Sequence, residues 1–242
     1  MSVLLELRGV SKSFRGISAV IAASLEVERG TIVALIGPNG AGKTTLFNLI
    51  AGVFGPDHGQ IHFDQHRIDG LRPDQVCAAG IGRTFQIVKP FAGLSVLDNA
   101  VVGALHRARA VRDARRHAEQ VLDKLGLGTK RNLPVAALTL PDRKRLEVAR
   151  AVATQPKLLL LDEVLAGLRP TECNEMIGLI RDMNRNDGMT IVLIEHVMQA
   201  VMALAHQVIV LDHGEVIARG APDAVVRDPA VVECYLGEDQ EL

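Results

Sequence analysis

The sequence predicts an α/β fold: a parallel sheet that begins with an antiparallel β piece and is interrupted by an all-helical stretch. Three observations carry this. An apolar run, Thr31 to Ile36, passes through a glycine-rich turn into the helically spaced Leu46, Leu49 and Ile50. From Leu158 onward apolar strands and helical segments alternate, which is the signature of a parallel sheet. Between Leu105 and Gln155 only helical periodicity is found.

In chain order, Leu4 to Val10 and Val20 to Glu28 flank the turn-rich Ser11 to Gly16 and read as the antiparallel piece, with Phe14 in the turn. The strand ending at Ile36 meets Gly37-Pro38-Asn39-Gly40-Ala41-Gly42-Lys43-Thr44, which fits G-x-x-x-x-G-K-[ST]. In that pattern backbone N–H groups at a helix N-terminus wrap the phosphates of a nucleotide. Lys43 would reach the β- and γ-phosphates, Thr44 would ligate Mg²⁺, and Thr45 could bind a phosphate further back. The helix opened by Lys43 should stop at Gly52, and Gly55 to Gly59 forms a turn before a strand from Gln60 to Phe63.

Leu105 to Leu125 reads as one long amphipathic helix, with Val111, Ala114, Ala118, Val121 and Leu122 on its apolar side. Between Leu105 and Arg131 eight Lys or Arg face three Asp or Glu, a balance that fits a solvated face, acidic partners or lipid headgroups. Thr139, three residues before Asp142, caps a helix that Pro156 terminates. Leu158 to Leu161 is a buried strand, a helix follows from about Thr171, and Thr190 to Ile194 is the next strand. Glu195 to Ala205 is expected to be helical, Val208 to Leu211 and Glu215 to Arg219 form a hairpin, and Asp228-Pro229 caps a last helix.

Ligands of open parallel sheets sit at the carboxyl ends of strands, where Asp162 and Glu163 follow Leu161 directly. Asp162 would hold Mg²⁺, and Glu163, pointing differently, could take the proton of an attacking water. His196, after the strand ending at Ile194, could hydrogen-bond the γ-phosphate, and Gln86 could carry its amide to the metal or the water. Phe14 could stack on an adenine face or belong to the core; both readings stand.

Together GPNGAGKTT at 37 to 45, RTFQ at 83 to 86, RLEVARAVATQPKLLLLDE at 145 to 163 and IEH at 194 to 196 resemble the ATPase subunit of ATP-binding-cassette transporters over essentially the whole chain. GIGRTFQ, LAGLRPTE at 165 to 172 and the ending Tyr235-Leu236-Gly237 look closest to import-type cassettes for branched-chain amino acids. The resemblance implies a P-loop NTPase (RecA-like) core with an antiparallel β piece over 1–86 and 151–242, and an inserted α-helical subdomain over 87–150. It implies ATP and Mg²⁺, with Gln86 sensing the membrane subunit and His196 as the switch histidine. The expected partners are permease subunits, a second cassette and, indirectly, a solute-binding protein, at the inner face of the cell membrane. The apolar residues 87 to 104, including Pro90, Phe91, Leu94, Val96 and Leu97, are expected to meet the permease.

The chain departs from the family at its signature loop, where Leu-Ser-Gly-Gly-Gln is replaced by Leu138-Thr139-Leu140-Pro141-Asp142. Pro141 has no N–H to aim at the partner's γ-phosphate, which favours a heterodimer over a homodimer. Arg169 stands where the family usually has Asp after the catalytic Glu. A lipid-extracting exporter and a non-transport cassette ATPase are the competing readings.

The composition sets further expectations. A net charge of −1 argues against bulk nucleic-acid binding. The three scattered cysteines point to a reducing, cytoplasmic setting. No apolar run approaches the ~18 residues of a membrane span, and Met1 to Val10 lacks a signal-peptide pattern.

Overall fold

A computed structural model describes residues 2–85 and 90–236. The antiparallel piece is a four-stranded sheet in the order β2-β1-β4-β5, made of β1 (Val3–Phe14), β2 (Ile17–Glu28), β4 (His58–Phe63) and β5 (His66–Arg67). The second sheet has six strands in the order β10-β9-β3-β8-β7-β6. These are β3 (Ile32–Ile36), β6 (Ile81–Arg83), β7 (Leu158–Asp162), β8 (Thr190–Ile194), β9 (Gln207–Asp212) and β10 (Glu215–Gly220). β3 and β6 to β9 pair in parallel, and only β10, the hairpin partner of β9, runs against them.

The central strands are buried on both faces, so their sequence is a continuous apolar run split by a two-residue period between two cores. Val33, Leu35, Leu158, Leu160, Val192 and Ile194 face the antiparallel sheet and α1 (Lys43–Ile50), whose Leu46, Phe47, Leu49 and Ile50 fill the space between the sheets. Ile32, Ala34, Ile36, Leu159, Leu161, Ile191 and Leu193 face the helices of the other side. There lie α3 (Val96–Ala104), α4 (Val111–Lys124), α5 (Leu140–Ala153), α6 (Pro170–Asp187) and α7 (Met198–Leu204). The short α2 (Pro73–Ala79), α8 (Pro222–Val225) and α9 (Pro229–Leu236) complete the chain. Parallel pairing sets Leu35 beside Ile194 and Ile194 beside Asp162, which brings the carboxyl ends of β3, β8 and β7 to one edge.

Three boundaries and the placement of two apolar residues differ from the sequence expectation. β1 does not turn at Ser11 but stays paired with β2 to Phe14 opposite Ile17, because bulges between Leu7 and Lys12 absorb the irregular stretch. The long helix begins at Val111: Leu105 belongs to the end of α3, and Ala110, in extended conformation, opens α4. α7 starts at Met198, since Glu195 and His196 continue beyond β8 without helical geometry. Val96 and Leu97 are buried against α4 and α5 and so belong to the core, whereas Phe91, Leu94, Val102 and Leu105 are exposed.

Candidate nucleotide site

The loop between β3 and α1 is built on close backbone approaches. A Cβ on Gly37 (φ +144°) would stand 1.9 Å from the Leu211 carbonyl, and one on Gly42 (φ +102°) would stand 2.3 Å from that of Ala19. Glycine is thus required for the loop to nest against β9 and β2. Gly42 opens α1 without a side-chain cap, and no acidic residue lies in the first turn. The first-turn N–H groups are therefore left for an anion, with the helix dipole behind them. Lys43 curls over the loop, its Nζ donating to the carbonyls of Gly37 (2.7 Å) and Pro38 (2.6 Å). Asn39, Gly40 and Thr44 are exposed along the rim, with Thr45 half-buried; Pro38 and Ala41 are buried.

The acids lie at the same edge. Asp162 ends β7 and is 1% exposed. Its Oδ2 accepts from Arg83 Nη2 at 3.3 Å, and Arg83 Nη1 donates to Asn48 Oδ1 of α1 at 2.6 Å, so one guanidinium ties β7 to the helix behind the loop. Asp162 Oδ1 is buried with no hydrogen-bond partner. Burial pushes the Asp162 carboxyl above its ordinary range, against the pull of Arg83. A divalent cation is the kind of group that completes such a corner. Glu163 is half-buried in the left-handed region (φ +49°), its N–H donating to the Ile194 carbonyl at 3.0 Å. His196 is exposed just past β8. Phe14 ends β1 at 40% exposure, edge-on to Phe54 with 5.2 Å between ring centroids. Gln86 lies outside the described residues.

At the start of α5, Thr139 is the cap: its hydroxyl accepts from the Asp142 N–H (3.4 Å) and donates to Asp142 Oδ2 (2.8 Å), which Lys130 Nζ also reaches at 2.5 Å. Leu138 is buried, Leu140 is exposed, and Pro141 occupies the first turn. Arg169 caps α6 and pairs with Glu172 of its own helix while 80% of its side chain is exposed.

Sequence reasoning missed the residues that hold these parts: the half-buried Arg83 and Asn48 and the buried Lys144 and Glu195. Lys144 interrupts the apolar side of α5 and Glu195 directly follows the apolar run Ile191 to Ile194. Charge inside an apolar pattern is the signal that would have found both. The cysteines form no disulfide, and no cluster of three metal-binding side chains of the His, Cys, Asp or Glu type exists among the described residues.

Residues 21–166 match the model of the ABC transporter family. The chain belongs to that family. A second model, for branched-chain amino acid ATP-binding cassette transporters, matches residues 215–241 of this cassette. LivG of Salmonella typhimurium, a high-affinity branched-chain amino acid transport ATP-binding protein, is 38% identical over 97% of this cassette and 98% of its own length. LptB of Acidithiobacillus ferridurans, a lipopolysaccharide export ATP-binding protein, is 35% identical over the full length of both chains. The ADP conformation of MJ1267, an ATP-binding cassette of an ABC transporter, superposes with a TM-score of 0.89 at 28% identity, covering 98% of this cassette and all of that chain. The cassette is an ATPase subunit of an ABC transporter, and no described helix is long and apolar enough to cross a membrane.

Proposed function

We propose that this cassette is the ATP-hydrolysing motor of an importer for branched-chain or other hydrophobic amino acids. The observation that carries the chemistry is the shared edge on which the Lys43 loop, Asp162 and Glu163 meet. Lys43 takes the β- and γ-phosphates, Thr45 a phosphate further back, and Phe14 the adenine face. Thr44, Gln86 and the unpartnered Asp162 Oδ1 would hold Mg²⁺, which would neutralise phosphate charge. Glu163 orients and deprotonates the attacking water, and His196 reads the γ-phosphate. Residues 1–86 and 151–242 act as the core, with 87–150 as the helical subdomain turned toward the permease.

In the working assembly Leu138 to Asp142 face the nucleotide of a second cassette. There Pro141 supplies no N–H and the Thr139 hydroxyl is already held by Asp142, which supports a heterodimer. Permease subunits at the inner face of the membrane, fed by a solute-binding protein, complete the system. The LptB likeness supports an exporter as the second reading; the match over 215–241 and the higher identity to LivG favour import.

Proteoliposomes holding this cassette, its second cassette and the permease subunits test the substrate class. ATP-dependent accumulation of leucine, isoleucine or valine is the expected result. ATP-dependent release of lipid with no amino-acid uptake would replace this reading with the exporter.

A further inference from the structure

A non-glycine residue in the left-handed region is held there only when its surroundings fix it. Glu163, at φ +49°, is such a residue. Its N–H donates to the Ile194 carbonyl (3.0 Å), and its own carbonyl accepts from the Ala166 N–H (3.2 Å) and from Lys144 Nζ (2.9 Å). Two residues on, the Leu165 N–H donates to Glu195 Oε1 at 3.0 Å. Lys144 is 6% exposed on the second turn of α5, and Glu195 is 2% exposed just beyond β8. The turn after β7 is thus gripped from two other elements by buried ionisable side chains that have no part in holding phosphate.

Burying such groups is unfavourable, and apolar residues of the same size would pack the space better. Glu195 is not even fully satisfied, since Oε2 is buried without a hydrogen-bond partner. Burial pulls the Lys144 ammonium below its ordinary pKa, and the carboxyl groups of Glu195, Glu163, Asp162 and Glu147 around it oppose that shift.

We propose that Lys144 and Glu195 are positioning residues that clamp the two ends of the Glu163 to Leu165 turn and so fix where the Glu163 carboxylate points. The proposal rests on the reading of Glu163 as the general base. Lys144 follows the Thr139 cap on the same rigid helix, so the clamp also ties the helix start that faces a partner's nucleotide to this chain's own Glu163. A shift of α5 moves the Lys144 donor and, with it, the Glu163 carbonyl.

The test uses the full chain in its two-cassette complex. Lys144→Met keeps the stem and removes the donor, whereas Lys144→Arg restores one; Glu195→Leu removes the acceptor, whereas Glu195→Gln keeps it. Phosphate release should show kcat lower by about 10- to 100-fold in the Met and Leu variants, the usual effect of a misplaced catalytic group. KM for ATP should stay within about twofold, and the Arg and Gln variants within about threefold of wild type. Amide hydrogen exchange at Leu165 should quicken in Glu195→Leu and not in Glu195→Gln, a readout independent of turnover. If the clamp acts through Glu163, adding Lys144→Met to Glu163→Gln lowers kcat by less than about twofold more. Wild-type kcat in Lys144→Met and Glu195→Leu, while Glu163→Gln is impaired, overturns the clamp and leaves the base intact. Wild-type kcat in Glu163→Gln overturns the base itself. Should Glu195→Leu unfold, Glu195→Asn withdraws the acceptor with less change in polarity, and unaltered kcat and exchange there overturn the clamp equally.

Discussion

Asp162 shows how much a single residue here depends on its neighbours. Its carboxylate has one guanidinium partner, Arg83, which is itself mostly buried and bonded to Asn48. Removing one member of a buried ion pair leaves the other uncompensated, so Arg83→Met should lower unfolding stability by about 3 kcal/mol. Denaturant titration checks this, and an unchanged midpoint and slope would contradict it. Glu195 makes a pH-dependent prediction of known sign. Burial raises its pKa from 4.5 to about 7, so the folded chain keeps a proton that the unfolded chain has released. Its contribution is full below pH 4.5 and is lost as pH rises through 7, in all about 3 kcal/mol. Glu195→Gln should therefore gain stability relative to wild type between pH 5 and 8, and parallel stability curves for the two proteins would contradict the shift. Lys43, Asp162 and Glu163 were legible in the sequence because one local motif and one strand end announce them. Arg83, Lys144 and Glu195 were not, since their partners lie 79, 19 and 30 residues away and only the folded sheet brings them together.

Among the elements, β3, β7 and β8 were read almost to the residue, because strands buried on both faces leave unbroken apolar runs bounded by turns. α4 was read too long, since the apolar spacing of α3 and α4 continues across their junction while the backbone breaks at Ala110. α5 carries a prediction of its own. Thr139 is its cap, so Thr139→Ala should cost about 1 kcal/mol in thermal or denaturant unfolding. Glycine at Pro141 would restore the one missing first-turn N–H, and glycine at Leu140 would remove the exposed side chain beside it. In the two-cassette complex they should tighten ATP-dependent closure by about tenfold or more, the value of a charge-assisted hydrogen bond. Equal closure with and without them would leave the start of α5 as a helix cap only.

Across the whole molecule, two apolar cores on opposite faces of one parallel sheet hold the phosphate loop, the acids and His196 at a common edge. The α/β class and the parallel order of the late strands followed from sequence periodicity, whereas the pairing of β1 with β4 and the seating of α1 between the sheets are long-range and left no local trace. The functional claim is that this edge binds ATP through the loop and cleaves it through Glu163. Its most direct test is ATP binding and phosphate release measured side by side on wild type and Glu163→Gln. The expected result is ATP affinity within about twofold of wild type and turnover lower by about 10²- to 10⁴-fold. Wild-type turnover in Glu163→Gln would contradict it.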